Sequence, residues 1–136
     1  YCTAKVNSLG CTPAIGHSGS PSFTGPDDFH ITAANILNNK YGLLMWSTLP
    51  HSVPFVGGTL CVKQPIRRTY VQDSVGSTAG DDCTGTFDFH FSQSYMAQQQ
   101  LTSGQLVHAQ YWYRDPGFPI GLHYGFTNGL MFSICP

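Results

Sequence analysis

Between Gln105 and Gly117 the chain reads QLVHAQYWYRDPG, and no other stretch narrows the choice of fold as much. Leu106, His108, Gln110 and Trp112 alternate with Val107, Ala109, Tyr111 and Tyr113, the period of two that belongs to a β-strand with two differently dressed faces. The segment is expected to be a central strand. It stops at Pro116, which cannot donate to a ladder, and at Gly117, whose backbone suits a turn, with Arg114 and Asp115 expected to carry charge to the solvent edge.

Other segments can be laid beside it. Phe29–Ile36 (FHITAANI) alternates, Asn38, Asn39 and Lys40 offer turn residues, and Tyr41–Thr48 (YGLLMWST) follows as an apolar strand, so the two are expected to form a hairpin. Because Leu43, Leu44, Met45 and Trp46 are consecutive, both faces of the second strand should be covered, with Trp46 in the core. Thr59–Lys63 reads as a strand. Ile66–Gln72 alternates in the mixed way of an edge strand and carries Arg67 and Arg68. Thr84–Ser92 sets Phe87, Phe89 and Phe91 against Asp88 and His90, and Leu130–Ile134 closes the series. Only Gln93–Ser103 has helix-forming composition, at most two turns behind Ser92 or Ser94 as N-cap. About eight short strands, punctuated by Gly, Pro, Ser and Asn, predict an all-β fold: an antiparallel β-sandwich of jelly-roll or immunoglobulin-like kind, as a single domain over residues 1–136. The immunoglobulin Cys–Trp–Cys spacing is absent, and no 20-to-50-residue period repeats.

Only 10% of the 136 residues are charged and the net charge is −1. No basic stripe exists for nucleic acid to follow. No apolar run reaches the roughly 18 residues of a membrane span. With no initiator Met ahead of Tyr1, a processed or excised mature form is expected. Five cysteines in a chain so poor in charge suit an oxidising compartment, outside the cytoplasm and at the cell surface or beyond it.

Cys2 and Cys11 flank an Asn-Ser-Leu-Gly turn. A bridge between them would close a loop of about ten residues and contribute about 2 to 3 kcal/mol, the alternative being two reduced thiols. A Cys61–Cys83 bridge would enclose about 21 residues and contribute about 3 kcal/mol. Cys135 is then left over, either as a thiol buried in a core strand or as the site of an intermolecular bond.

Reactive chemistry finds little support. Of six histidines, His90 and His108 lie in strands that would be neighbours, with Asp88 on the face of His90, yet HxH, HExxH and CxxC spacings are all absent. Asp73, Asp81 and Asp82 lack the carboxylate ladder of an EF-hand. The GHSG at 16–19 has its second glycine one position early for a nucleophile elbow, which leaves Ser18 an ordinary loop serine. Seven acids give little material for a catalytic carboxylate pair. No catalytic, cofactor-binding or metal-binding residue is assigned, and no enzyme is expected.

Four motifs taken together, CTAKVNSLGCTPAI, PFVGGTLCV, DDCTGTF and QYWYRDPG, give the chain a family likeness. It resembles a domain that recurs at the C-terminal ends of large secreted or surface proteins of Planctomycetes and related environmental bacteria. The resemblance implies an extracellular, disulfide-stapled module with pairs Cys2–Cys11 and Cys61–Cys83, and brings no activity with it. Such domains trail a long protein, so the module met alone is expected to be either excised or a free-standing subunit.

The functional expectation is a structural or assembly module, a subunit of a surface fibre, layer or attachment structure that associates with copies of itself. Low net charge permits self-association, and aromatics at 13% exceed what one core of this size needs. Strand addition with Tyr1–Val6 or Leu130–Ile134 as the donated segment is the expected joining mechanism. The alternative is a lectin-like carbohydrate-binding module for surface glycans. Tyr111, Tyr113, Phe118 and Tyr124 would supply its stacking platform, or serve as subunit contacts, with Asn128 or Asp115 reaching sugar hydroxyls.

Overall fold

The computed structural model describes residues Tyr1–Pro136. Eleven strands and one helical turn follow in order: β1 (Ala14–Ser18), β2 (His30–Ile36), β3 (Tyr41–Ser47), β4 (Pro50–Phe55), β5 (Gly58–Val62), β6 (Arg67–Arg68), β7 (Gln72–Asp73), β8 (Gly85–His90), α1 (Gln93–Gln98), β9 (Leu106–Arg114), β10 (Tyr124–Phe126) and β11 (Leu130–Ser133). They form the antiparallel β-sandwich read from the sequence, with more strands than eight. The stretch 66–72 breaks into two-residue strands, and the Pro-bearing connection after β3 is itself a strand, β4.

One layer is β1-β2-β8; the other runs β10-β9-β3-β6, with β11 also on β9 and β7 also on β3. β9 is the central strand, flanked by β3 on one side and by β10 and β11 on the other. Its two faces divide as the alternation requires. Val107, Ala109, Tyr111 and Tyr113 point between the layers into a 17-residue cluster with Ile31, Leu44, Trp46 and the Phe87–Phe89–Phe91 face of β8. Met45, Val62 and Phe126 make a second cluster on the outer face, joined by Leu43 and Trp112. Both faces of β3 are thus covered, and the outer cover is the β4–β5 hairpin, whose two-residue turn Val56-Gly57 has positive φ at both positions (40° and 77°). Proline at 50 and 54 is tolerated because β4 is an edge.

The hairpin is fixed to the sheet by Gln110. This side chain is fully buried, and its Oε1 accepts from Cys61 N at 3.0 Å. Its Nε2 donates to Thr59 O at 2.9 Å and Thr127 O at 2.8 Å.

Four expectations are corrected. β2 and β3 do not form a hairpin, because they lie in opposite layers. The connection crosses between layers, since Asn38, buried, is drawn towards the 77–82 loop: its Nδ2 donates to Ser77 O and Gly80 O, and its N to Asp82 O. The cysteines pair crosswise, Cys2 with Cys61 and Cys11 with Cys83. The turn between Cys2 and Cys11 closes without a staple, because Asn7 Oδ1 accepts from Leu9 N and Cys11 N, and Asn7 N donates to Cys11 O. Tyr1 and Gly129 exchange backbone hydrogen bonds, and Lys5 N donates to Phe126 O, which lays Cys2 over β5. Loop separations of 59 and 72 residues constrain the unfolded chain more than local bridges would, about 4 kcal/mol each in the chain-entropy picture and not additive, since the loops overlap. Third, the same bonds take Tyr1–Val6 and Leu130–Ile134 out of service as donated strands, since the first is stitched to β10 and to Gly129 just before β11 and the second pairs with β9. Finally, of the two alternatives for Cys135 the buried thiol falls, because the residue is exposed, its backbone bridged to Pro21 and Phe23.

Tyr113 sits between two glycines, Gly42 on β3 and Gly125 on β10. A Cβ on Gly125 would fall 2.1 Å from Tyr113 Cζ, so the ring occupies the space a side chain would take.

Replacing Gly125 by Ala is expected to cost at least about 2 kcal/mol in urea unfolding, whereas Gly80→Ala, with open space around it, pays only for its positive φ, about 1 kcal/mol. Non-reducing peptide mapping is expected to recover Cys2 linked to Cys61 and Cys11 linked to Cys83, with Cys135 alkylated; a Cys2–Cys11 peptide would refute the crossed framework.

Candidate functional site

Two concave regions flank Arg68. The first is an apolar groove of about 220 Å³ between the β4–β5 hairpin and the outer face of the sheet. Leu43, Met45, Trp112 and Phe126 come from the sheet, Phe55 and Leu60 from the hairpin, and Ile66 from the segment beyond it; Arg68 and Gln64 are the polar members. Gln110 fixes how the hairpin sits over the sheet, and the groove lies between the two. Trp112 is braced from outside by Tyr124, stacked at 4.9 Å.

At the hairpin tip Lys5 is buried, its Nζ donating to Val56 O at 3.0 Å, Leu122 O at 2.6 Å and Tyr124 O at 2.8 Å. Its ammonium lies 4.3 Å from the centre of the Phe118 ring. Desolvation lowers its pKa, and Asp115 partly offsets this. All three ammonium donors are used, which makes this a structural clamp and leaves no reactive amine. The loop it clamps, between β9 and β10, carries Ile120 at 96% exposure, the most exposed large apolar side chain in the protein.

The second region is a shallow cleft of about 410 Å³ where β6, the strand end of β8 and α1 meet, lined by Arg68, His90, Ser94 and Gln98 among its polar residues and by Tyr70, Phe89 and Tyr95. His90 stacks on His30, its cross-strand partner, with centroids 4.5 Å apart and planes 3° from parallel. His30 Nδ1 is 2.7 Å from Asp88 Oδ1, and His90 Nε2 is 3.3 Å from Asp27 Oδ1. Each ring therefore has a carboxylate on one nitrogen.

The expected site residues land as follows. Tyr111 and Tyr113 are fully buried, which removes them as a sugar platform or subunit contact. Tyr111 donates its hydroxyl to Ile31 O at 2.6 Å across the core, and burial raises the pKa of both phenols. Phe118 and Tyr124 are half-buried and already engaged by Lys5 and Trp112. Asp115 does not reach solvent; it is buried and accepts from Ser8 N and Ser8 Oγ, so the RDPG turn holds down the opening segment. Asn128 accepts from Ile15 N.

His90 and His108 are in different layers, and no group of three or more His, Cys, Asp or Glu is placed to hold a metal ion. Asp82 is occupied by Thr84, whose N–H and hydroxyl hold its carboxyl below the usual range. Asp81 faces Lys40 and Asp73 accepts from Val75 N. Sequence reasoning passed over Gln110, Lys5 and Gln98. Polar residues inside alternating or loop segments carry no pattern that separates a buried anchor from a solvated side chain.

His108 is 4% exposed beneath the edge of the Tyr1 ring, with its Nδ1 unpartnered. Burial disfavours the imidazolium and lowers its pKa below the usual value. The stabilising contribution of the neutral ring is complete above the unfolded value near 6.5 and is lost as pH falls from there towards the folded one. Between about pH 7.5 and pH 5.5 the urea midpoint is expected to fall, and in His108→Asn to fall by less. An equal fall in both proteins would show that burial of His108 does not govern it.

Comparison with protein-family models, curated proteins and solved structures yields no match, so the geometry carries the functional argument alone.

Proposed function

We propose that this protein is a non-enzymatic extracellular structural module that assembles through the apolar groove of its outer sheet face, as a subunit of a surface fibre, layer or attachment structure. The observation behind this reading is the groove itself: seven of its nine lining residues are hydrophobic, and it stands open beside a hairpin already fixed in place. Solvated apolar concavities are recognition surfaces more often than accidents in a stable chain. The surrounding chemistry agrees. Two long-range disulfides fit an oxidising exterior, and no helix is long and apolar enough to cross a membrane.

A second copy of the chain supplies an occupant. Ile120 projects from the β9–β10 loop into solvent and is branched and apolar, matching a groove walled by Leu60, Ile66 and Trp112. Loop and groove are different surfaces, so the contact is heterologous and propagates or closes into a ring depending on its rotation. Net charge −1 leaves little repulsion to oppose it.

Sedimentation velocity across a concentration series tests this. The chain is expected to shift to larger species as concentration rises. Ile120→Asp and Phe55→Asp, both exposed and therefore cheap for folding, are each expected to hold it as a monomer of 14.8 kDa. A wild-type chain that stays monomeric throughout, or variants that assemble as well as it does, would overturn the reading.

A further inference from the structure

The cleft on the far side of Arg68 has different chemistry from the groove and shares with it only Arg68. Tyr70, Phe89 and Tyr95 all line it, and Tyr70 is the exposed one, at 63%, with its ring backed by Phe89 at 5.4 Å between centroids. The side chain is therefore supported from beneath while most of its surface stays in solvent. Around it are polar groups that the fold leaves unspent. The Arg68 guanidinium forms no ion pair with any carboxylate, and Arg68, Ser94, Gln98 and the Tyr70 hydroxyl make no side-chain hydrogen bond. Nearby groups that serve the fold are engaged: Thr69 Oγ1 donates to Leu44 O, Ser92 Oγ caps α1, and His90 is held by Asp27.

We propose that this cleft binds an acidic polysaccharide, with one uronate ring lying against Tyr70. A pyranose presents an apolar C–H face to an aromatic ring and a rim of hydroxyls that both donate and accept. Gln98 offers a carbonyl oxygen and an NH₂, and Ser94 a hydroxyl, so each is matched to a sugar hydroxyl in either sense. Arg68 selects the acid: its planar fork takes a carboxylate through two parallel N–H···O bonds. The cleft is shallow and open to solvent, as a polymer needs, and six of its nine lining residues are polar against two in the groove. Nucleic acid does not fit the same surface, since a phosphate backbone would need a track of cations and Arg68 is the one arginine or lysine lining the cleft. Tyr70 and Arg68 sit on consecutive sides of Thr69, whose N–H and hydroxyl both bond Leu44 O, so the pair is presented from a pinned backbone.

Isothermal titration of the intact chain with oligogalacturonate, alongside a neutral cello-oligosaccharide of equal length, tests the proposal. Oligogalacturonate is expected to bind, more weakly as salt rises, and the neutral oligomer to bind at least roughly tenfold more weakly. Tyr70→Ala and Gln98→Ala are each expected to lower the affinity for oligogalacturonate roughly tenfold, with unchanged circular dichroism, and Arg68→Gln to abolish the preference for the acid. Tyr41→Ala, which removes an equally exposed tyrosine elsewhere, and Ile120→Asp are expected to bind as wild type does. The last keeps this site separable from assembly. Absence of binding to oligogalacturonate, equal binding of both oligomers, or binding indifferent to Tyr70 would each overturn the proposal.

Discussion

A single buried amide sets the relation between the sandwich and everything built on its outer face. Gln110 lies on the central strand with no access to water, and its carboxamide satisfies Cys61 N, Thr59 O and Thr127 O. Each of those backbone groups would cost about 1–3 kcal/mol if buried without a partner, so the hairpin has little freedom to slide or tilt. Cys61 is also where the opening segment is welded on, by its bridge to Cys2 and by the hydrogen bond from the Tyr1 hydroxyl to Cys61 O. Central strand, hairpin and opening segment therefore meet at one residue, and the apolar groove is the space this junction leaves on the side towards Ile66 and Arg68.

What could be read beforehand, and what could not, follows from the same physics. Side-chain alternation reports which residues share a face, so Val107, Ala109, Tyr111 and Tyr113 were legible as one surface and Phe87, Phe89 and Phe91 as another. Four consecutive apolar residues in β3 signalled cover on both sides, and the hairpin provides it. Alternation does not say which strands pair. Asn38, Asn39 and Lys40 look like a hairpin turn, yet Asn38 is spent on three backbone groups of the 77–82 loop and sends the chain to the other layer. The cysteine pairing failed for a related reason, because loop length favours near neighbours only when nothing else orders the segment, and here Asn7 had already closed the turn.

The aromatic residues show the limit of reading function from type. Tyr111 and Tyr113 have the composition of a sugar platform and the position of core. Their register places Tyr113 against Gly42 and Gly125, and only a ring in that space fills what the glycines leave empty. The YG pairs at 41–42 and 124–125 were the available signal, one on each strand beside β9. Asp115 is a parallel case: an acid before Pro-Gly looks solvated, but Ser8 supplies both its N–H and its hydroxyl, and the carboxylate becomes an anchor. Tyr70, by contrast, sits in a mixed segment with little periodicity and remains exposed because β6 and β7 are too short to carry it under the sheet.

Those short edges also bear on how the molecule can meet another. An exposed sheet edge templates pairing by its unsatisfied N–H and C=O groups, and a chain that joined its neighbours that way would need one left long and flat. Here β6 and β7 are two residues each, and the β10–β11 edge is overlaid by the opening segment through Tyr1, Lys5 and their partners Gly129 and Phe126. β1 is longer, but Ile15 N on it is taken by Asn128. Backbone addition is thereby discouraged at these edges, which leaves side chains standing clear of the sheet as the available contacts. Ile120 on its clamped loop and Tyr70 over Phe89 are of that kind, and each is held by a contact that survives whether or not anything binds: the Lys5 ammonium on three carbonyls in one case, a buried aromatic face in the other. Surfaces pre-organised in this way lose little conformational entropy on association, which lets contacts of modest area count.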